Sequence, residues 1–107
     1  MEAIPRDLFF FEAGGVPAWL DRLEESDKAG YDAIIVRLER LEDGNLGDYD
    51  WTGNVIELRF IRTGPGYRLY VGLDGDLAII LWAGIKKTQD ADIKIANRLW
   101  KEYKHAK

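Results

Sequence analysis

The sequence has 107 residues, a net charge of −4 and no cysteine. With 47% apolar and 32% charged residues it has the composition of one globular domain, which excludes an intrinsically disordered chain. The absence of cysteine excludes disulfides and cysteine-ligated zinc, and it is compatible with a reducing cytoplasm. The longest apolar run, Leu77–Ala83, is far shorter than the roughly 20 residues of a membrane span, and the N-terminus does not resemble a signal peptide. We therefore expect a cytoplasmic protein that forms one domain over residues 1–107, without a membrane segment.

Charge is distributed unevenly along the chain. Residues 1–58 carry 5 basic and 14 acidic side chains, whereas residues 59–107 carry 10 basic and 5 acidic ones. A basic half indicates contact with an anionic partner. The alternative is that folding mixes the two halves into one mildly acidic surface, and the sequence leaves both open.

The first half of the chain predicts a strand followed by two helices. A short aromatic run at residues 8–12 is typical of a strand. Apolar residues at helical spacing then predict a helix over about residues 16–25. Ser26 or Asp27 can cap a second helix, and Gly44 ends it.

The second half predicts a three-stranded meander and a last helix. Residues 45–54 are polar and predict a loop, after which strands are expected at Val55–Arg62, Tyr67–Leu73 and Leu77–Ala83. A glycine-proline-glycine-tyrosine turn and an aspartate-glycine turn connect them. Thr88 can cap the last helix. The order is β-α-α-β-β-β-α, an α+β fold with an antiparallel sheet packed by two N-terminal helices and one C-terminal helix.

Two arginines of this meander fall on one face of the predicted sheet. If a two-residue turn joins the first two strands, Arg59 and Arg68 share a face, about four residues or on the order of 13 Å apart at ~3.4 Å per residue. Lys86 and Lys87, which follow the third strand, can complete a basic patch that suits phosphates. The alternative is that Arg59 pairs with Glu57 or another acid and that both lysines are ordinary solvated side chains.

Four ordered blocks of the sequence resemble one family of bacterial proteins. They are Leu41–Asp48, Val55–Arg59, Gly64–Tyr70 and Gly84–Ile93. In this order they resemble the RelE/HigB-like toxins of toxin–antitoxin systems, in particular the phage-derived addiction module killer branch. The resemblance covers roughly residues 16–105.

The resemblance implies a RelE-like fold and an mRNA interferase, an endoribonuclease that cleaves mRNA on the ribosome. It also implies a cognate helix-turn-helix antitoxin as partner. The reaction needs no metal or cofactor, because the ribose 2′-hydroxyl attacks the adjacent phosphate and fixed cations stabilise the developing charge. By the match of positions, the expected catalytic residues are Arg59, Arg68 and Lys87. The expected RNA-binding residues are Lys86, Arg62 and Tyr70.

The residues that transfer protons are not assigned by the resemblance. Ile93 stands where some family members have a catalytic tyrosine, so no tyrosine carries over, and Glu57 or a lysine of lowered pKa is the candidate base. Trp51 can either stack on an RNA base or anchor its own loop. A second hypothesis is therefore a catalytically weak or inactive toxin-like module that binds the helix-turn-helix antitoxin.

Overall fold

The computed structural model describes residues 4–60 and 64–106, and it places helices on both faces of one five-stranded sheet. The strands are β1 (Asp7–Phe10), β2 (Tyr49–Thr52), β3 (Val55–Phe60), β4 (Tyr67–Asp74) and β5 (Leu77–Ile85). The α-helices are α1 (Val16–Ser26), α2 (Lys28–Glu42) and α3 (Gln89–His105), and short 3₁₀ turns occupy Glu12–Gly14 and Lys86–Thr88. The predicted α+β class and the predicted order of helices are confirmed. In these described ranges, no helix has the length and apolar character needed to cross a membrane.

The sheet is mixed, so the predicted all-antiparallel sheet is wrong. Its strand order is β1-β5-β4-β3-β2, and β1 runs parallel to β5, with Phe10 opposite Ile80. The other neighbouring pairs are antiparallel, as the meander predicted. β5 is apolar on both faces because helices cover both, and it lies inside the sheet with β1 on one edge and β4 on the other. The long connection through α1 and α2 allows β1 to supply the second partner in the parallel direction.

The segment predicted as a polar loop contains a strand. β2 pairs with β3, with Tyr49 opposite Leu58 and Trp51 opposite Ile56. Gly53 has a φ of 69° and turns the chain between the two strands. The alternation of two aromatic residues with polar ones was the available signal for this strand, and it is weak because an edge strand needs few apolar residues.

The register between β3 and β4 differs from the predicted one, although the faces do not. Arg59 lies directly opposite Arg68, whereas the two-residue turn would have placed Thr63 there. The connection runs from residue 61 to residue 66, and residues 61–63, with the predicted RNA-binding Arg62, lie outside the described residues. The shift is an even number of residues, so each side chain keeps its face. Arg59 and Arg68 are therefore cross-strand neighbours and not about 13 Å apart.

Each face of the sheet has its own apolar core. Leu58, Leu69 and Ile80 face α1 and α2, while Ile79 and Leu81 face α3 with Trp100. The face that α3 covers, called the α3 face below, also carries the charged residues of β3 and β4. α2 begins as predicted, since the Asp27 carboxylate accepts a hydrogen bond of 3.0 Å from the Gly30 N–H.

Candidate functional site

Charged side chains lie at one end of the α3 face, arranged in two rows across the strands. One row is Asp50, Glu57, Tyr70 and Trp82, and the next contains Arg59, Arg68 and Gly84. The other end of the same face is apolar and packs against α3. The α3 face is thus apolar at one end, where it forms a core, and polar at the other, where it forms the candidate site.

Arg68 lies in the interior, held between an acid and a turn. Its side chain is 5% exposed, its Nε is 3.7 Å from Glu57 Oε2, and its Nη1 donates a 2.7 Å hydrogen bond to the Gly66 carbonyl. Gln89, the first residue of α3, donates from Nε2 to both carboxylate oxygens of Glu57, at 3.1 and 2.9 Å. A buried carboxylate held in this way fixes the guanidinium in one position.

Arg59 is paired with acids of the neighbouring edge. Its Nη2 is 3.0 Å from Asp48 Oδ1 and its Nη1 is 3.8 Å from Asp50 Oδ2, with 29% of the side chain exposed. The alternative that Arg59 pairs with an acid is confirmed. Its partners are these two aspartates and not Glu57. Two arginines directly opposite each other repel, so each arginine of the row has its own carboxylate.

Tyr70 does not reach the surface. Its side chain is fully buried in the core beneath α3. Burial raises its pKa, and the neighbouring Glu57 carboxylate raises it further, so the phenol keeps its proton. The prediction that Tyr70 contacts RNA requires an exposed side chain, and from this position Tyr70 can only support its neighbours.

Lys86 and Lys87 are exposed in the turn that connects β5 to α3. Neither makes an ion pair with another described residue. Gly66 lies between the Arg68 guanidinium and the base of the Lys86 side chain, because a Cβ at that position would be 3.1 Å from Arg68 Nη1 and 3.2 Å from the Lys86 Cβ. Arg68, Lys86 and Lys87 are called the basic corner below.

Asp92 completes the site, and its contacts were not predicted from the sequence. It is 6% exposed and accepts a 2.9 Å hydrogen bond from Trp82 Nε1, and its other oxygen is 2.5 Å from the Thr88 hydroxyl. A Cβ at Gly84 would lie 2.0 Å from Asp92 Oδ2, so only glycine leaves room for the carboxylate. A glycine inside an apolar strand was the one available signal of this close approach.

Other candidate residues lie elsewhere. Trp51 is 56% exposed on the sheet edge and points to the face opposite Arg59. Ile93, where the resemblance led us to look for a tyrosine, is partly buried and packs against the core beneath α3. Among residues 4–60 and 64–106, no group of histidine, aspartate and glutamate side chains could hold a metal ion.

Comparison with known proteins finds a similar sequence in a bacterium. An uncharacterized protein of Haemophilus influenzae is 42% identical over 87 residues, which span 79% of this chain and 85% of that protein. No protein-family model matches the chain. No solved structure matches it.

Proposed function

We propose that this chain, which belongs to the same family as the uncharacterized Haemophilus influenzae protein, is the toxin of a type II toxin–antitoxin system. In this proposal it has the RelE-like form of the α+β fold, cleaves mRNA on the ribosome and is inhibited by a helix-turn-helix antitoxin. The observation that carries the proposal is the basic corner. Gly66 brings Arg68 against the base of the Lys86 side chain, and Lys87 follows in the same turn before α3. Both lysines are exposed.

The proposed reaction uses these cations to stabilise charge. The ribose 2′-oxygen forms a bond to phosphorus while the bond to the 5′-oxygen breaks, leaving a 2′,3′-cyclic phosphate and a 5′-hydroxyl. A base removes the 2′-proton and an acid protonates the 5′-oxygen. Lys87 acts on the phosphate oxygens at the surface and Arg68 acts on them from just beneath it. Fixed positive charge at this place stabilises the transition state more than the ground state. Lys86 binds the adjoining phosphate.

The buried residues around Arg68 have positioning roles in this proposal. Glu57 is 1% exposed and both of its oxygens accept from Gln89, so it orients Arg68 and is poorly placed to serve as the base. Tyr70 supports the same pair from below. Arg59 contributes to RNA binding only when it leaves Asp48 and Asp50.

A second function, an inactive module that binds only the antitoxin, is supported by a different observation. Arg59 is neutralised by two aspartates and Arg68 is almost fully buried, so two of the three expected catalytic cations have little free charge at the surface. In that case the fold serves protein recognition alone, and the lysines are solvated.

Induction of the protein in a bacterium separates the two functions. We expect growth arrest and mRNA cuts in phase with codons. Lys87→Ala should reduce cutting roughly 100-fold, a magnitude typical of losing one transition-state contact. Arg68→Lys keeps the charge beside Glu57 but loses the guanidinium fork, and it should reduce cutting by a similar factor while the protein still folds.

Arg40→Ala is the matched control for these variants. Arg40 is exposed near the end of α2, on the opposite side of the sheet, and its loss should leave growth arrest unchanged. Normal growth at full soluble expression of the wild-type protein would overturn the nuclease. Co-purification with the product of a neighbouring helix-turn-helix gene would then support the binding module.

A further inference from the structure

A groove of about 370 Å³ lies beside the basic corner, between the start of α1 and the edge of β5. Trp19 and Trp82 form its walls, Arg22 lies at its rim, and small residues such as Gly14 and Ala18 line the rest. Its volume is within the range of small-molecule sites in proteins. The mechanism proposed above does not use it.

The groove exists because β1 is shorter than β5. Their pairing ends at Phe10 and Ile80, and the Phe11 N–H makes the last hydrogen bond, 3.0 Å to the Ile80 carbonyl. The chain then crosses the edge of β5 in the 3₁₀ turn Glu12–Gly14. A Cβ at Gly14 would be 1.8 Å from the Leu81 carbonyl oxygen, so glycine is required at this crossing. The edge of β5 beyond the crossing borders the groove.

Both indole rings of the groove are held in place by other residues. Trp82 donates its N–H to Asp92 at 2.9 Å. Trp19 packs edge-to-face on Tyr67, with ring centres 5.9 Å apart, and the Tyr67 hydroxyl donates to Asp27 at 2.6 Å. Trp51, in contrast, is exposed and has no ring contact among the described residues. Fixed flat surfaces lose little conformational entropy when they bind another flat group.

The charge around the groove favours an anionic ligand. None of the described side chains that line it is acidic, and exposed Arg22 makes no ion pair with another described residue. Ala83, in its lining, precedes Lys86 by three residues, and Lys86 follows the end of β5, so the two are at most about 10 Å apart at ~3.4 Å per residue. A nucleic-acid strand held at the basic corner can therefore place a neighbouring base at the groove.

We propose that this groove binds one unstacked base of single-stranded RNA, with the base against the indoles and the adjoining phosphate on Arg22. Aromatic side chains bind the unstacked bases of single-stranded RNA by stacking, and arginine contributes both charge and a flat surface. The proposal deepens the nuclease function and rests on its RNA substrate. It adds a contact that selects the nucleotide beside the cleaved bond.

Fluorescence anisotropy with a labelled seven-nucleotide RNA tests the groove. The wild-type protein should bind this RNA saturably at low salt, and Trp19→Leu should weaken binding about tenfold, because leucine keeps the apolar contact but removes the flat ring. Arg22→Gln, an exposed change that leaves the core intact, should weaken binding severalfold. Replacing the bases by abasic sites should weaken wild-type binding as much as Trp19→Leu does.

Two matched variants serve as controls. Trp51→Leu removes an exposed indole outside the groove and Arg40→Gln removes an exposed guanidinium from α2, and both should bind RNA as the wild type does. Equal losses in the controls, or undiminished binding by Trp19→Leu, would overturn the proposal. The proposal would also be overturned if both groove variants bound RNA as the wild type does but no longer bound the antitoxin. The groove would then be a contact for a protein. If the wild type binds no RNA but still arrests growth, the groove proposal fails while the nuclease stands.

Discussion

At the scale of single residues, the pair of Glu57 and Arg68 determines what the site can do. Both side chains are at least 95% buried, and the Nε of Arg68 has no hydrogen-bond partner among the described residues. The closest approach between them is 3.7 Å, so the attraction is mainly between charges and not a hydrogen bond. Burying two charges costs free energy. The pair therefore serves to position Arg68 more than to stabilise the fold.

Removing one member of this pair should cost more than removing both. Glu57→Gln leaves Arg68 charged in the interior, and we expect it to lower the free energy of unfolding by about 3 kcal/mol. The double variant Glu57→Gln with Arg68→Met should recover most of that loss, because no unpaired buried charge remains. Urea unfolding of the wild type, both single variants and the double variant measures the difference.

Lys28→Gln is the control for this cycle. It breaks an ion pair with Asp32 in which both side chains are more than half exposed, and its unfolding midpoint should not change. If the effects of the Glu57 and Arg68 substitutions on the free energy of unfolding were additive, the two residues would not be coupled. The positioning role of Glu57 would then be wrong.

At the scale of elements, Tyr67 and Asp27 connect the start of β4 to the start of α2. The hydrogen bond from Tyr67 lowers the pKa of Asp27, and the bond from the Gly30 N–H lowers it further. Burial and the same carboxylate raise the pKa of Tyr67 to about 12. One residue therefore caps a helix and anchors the turn next to Arg68.

The hydrogen bond between Tyr67 and Asp27 predicts that the stability of the fold decreases at acidic pH. The folded-state pKa of Asp27 is lower than its ordinary value, so its contribution is complete above about pH 4 and is lost as the pH falls through the folded-state pKa. In Tyr67→Phe this acid-dependent loss should be smaller, because the largest cause of the pKa shift is gone. Thermal unfolding between pH 2 and 6 measures it.

Tyr31→Phe is the matched control for that experiment, since it removes a partly exposed phenol elsewhere on α2. Its melting temperature should follow the wild-type pH dependence. An unchanged acid dependence in Tyr67→Phe would contradict the proposed coupling between the two elements.

Local sequence patterns predicted most of the elements but not how they meet. The alternation of residues and the turn residues predicted the strands β3, β4 and β5. The predicted and observed registers differ by an even number of residues, so Arg59 and Arg68 share a face in both. The length of the connection between β3 and β4 depends on packing that the turn motif does not encode. β2 was missed because an exposed edge strand can be polar.

The partners of the site residues could not be predicted for a related reason. Asp48, Gln89 and Asp92 bind side chains that are 11, 32 and 10 residues away in the sequence, respectively. Their contacts depend on where α3 lies on the sheet, and so does the burial of Tyr70. Residue type and face were predictable, whereas exposure and pairing required the tertiary structure.

At the scale of the whole molecule, the sheet separates the two charges of the sequence. The α1–α2 side, residues 16–43, carries 8 acidic and 4 basic side chains, while residues 86–106, which cover the α3 face, carry 6 basic and 3 acidic ones. One of those three acids, Asp92, is buried. The helices on the two sides of the sheet therefore keep opposite net charges, and the basic side is the one that contains the basic corner and α3. On the sheet itself the halves do meet, because carboxylates of the acidic half pair with Arg59 and Arg68.

This separation predicts that the α3 side carries most of the salt-dependent part of RNA binding, to which Arg22 at the groove adds one contact. Lys101 is exposed on α3 and makes no ion pair with another described residue, and Lys101→Glu should weaken binding of single-stranded RNA severalfold at low salt. The slope of log affinity against log salt should fall by about 1, because one phosphate contact no longer releases a counterion. Arg40→Glu changes the net charge by the same amount on the acidic side and should leave the slope unchanged. Equal effects of the two variants would mean that only the total charge matters, and the basic side would then have no particular role in docking.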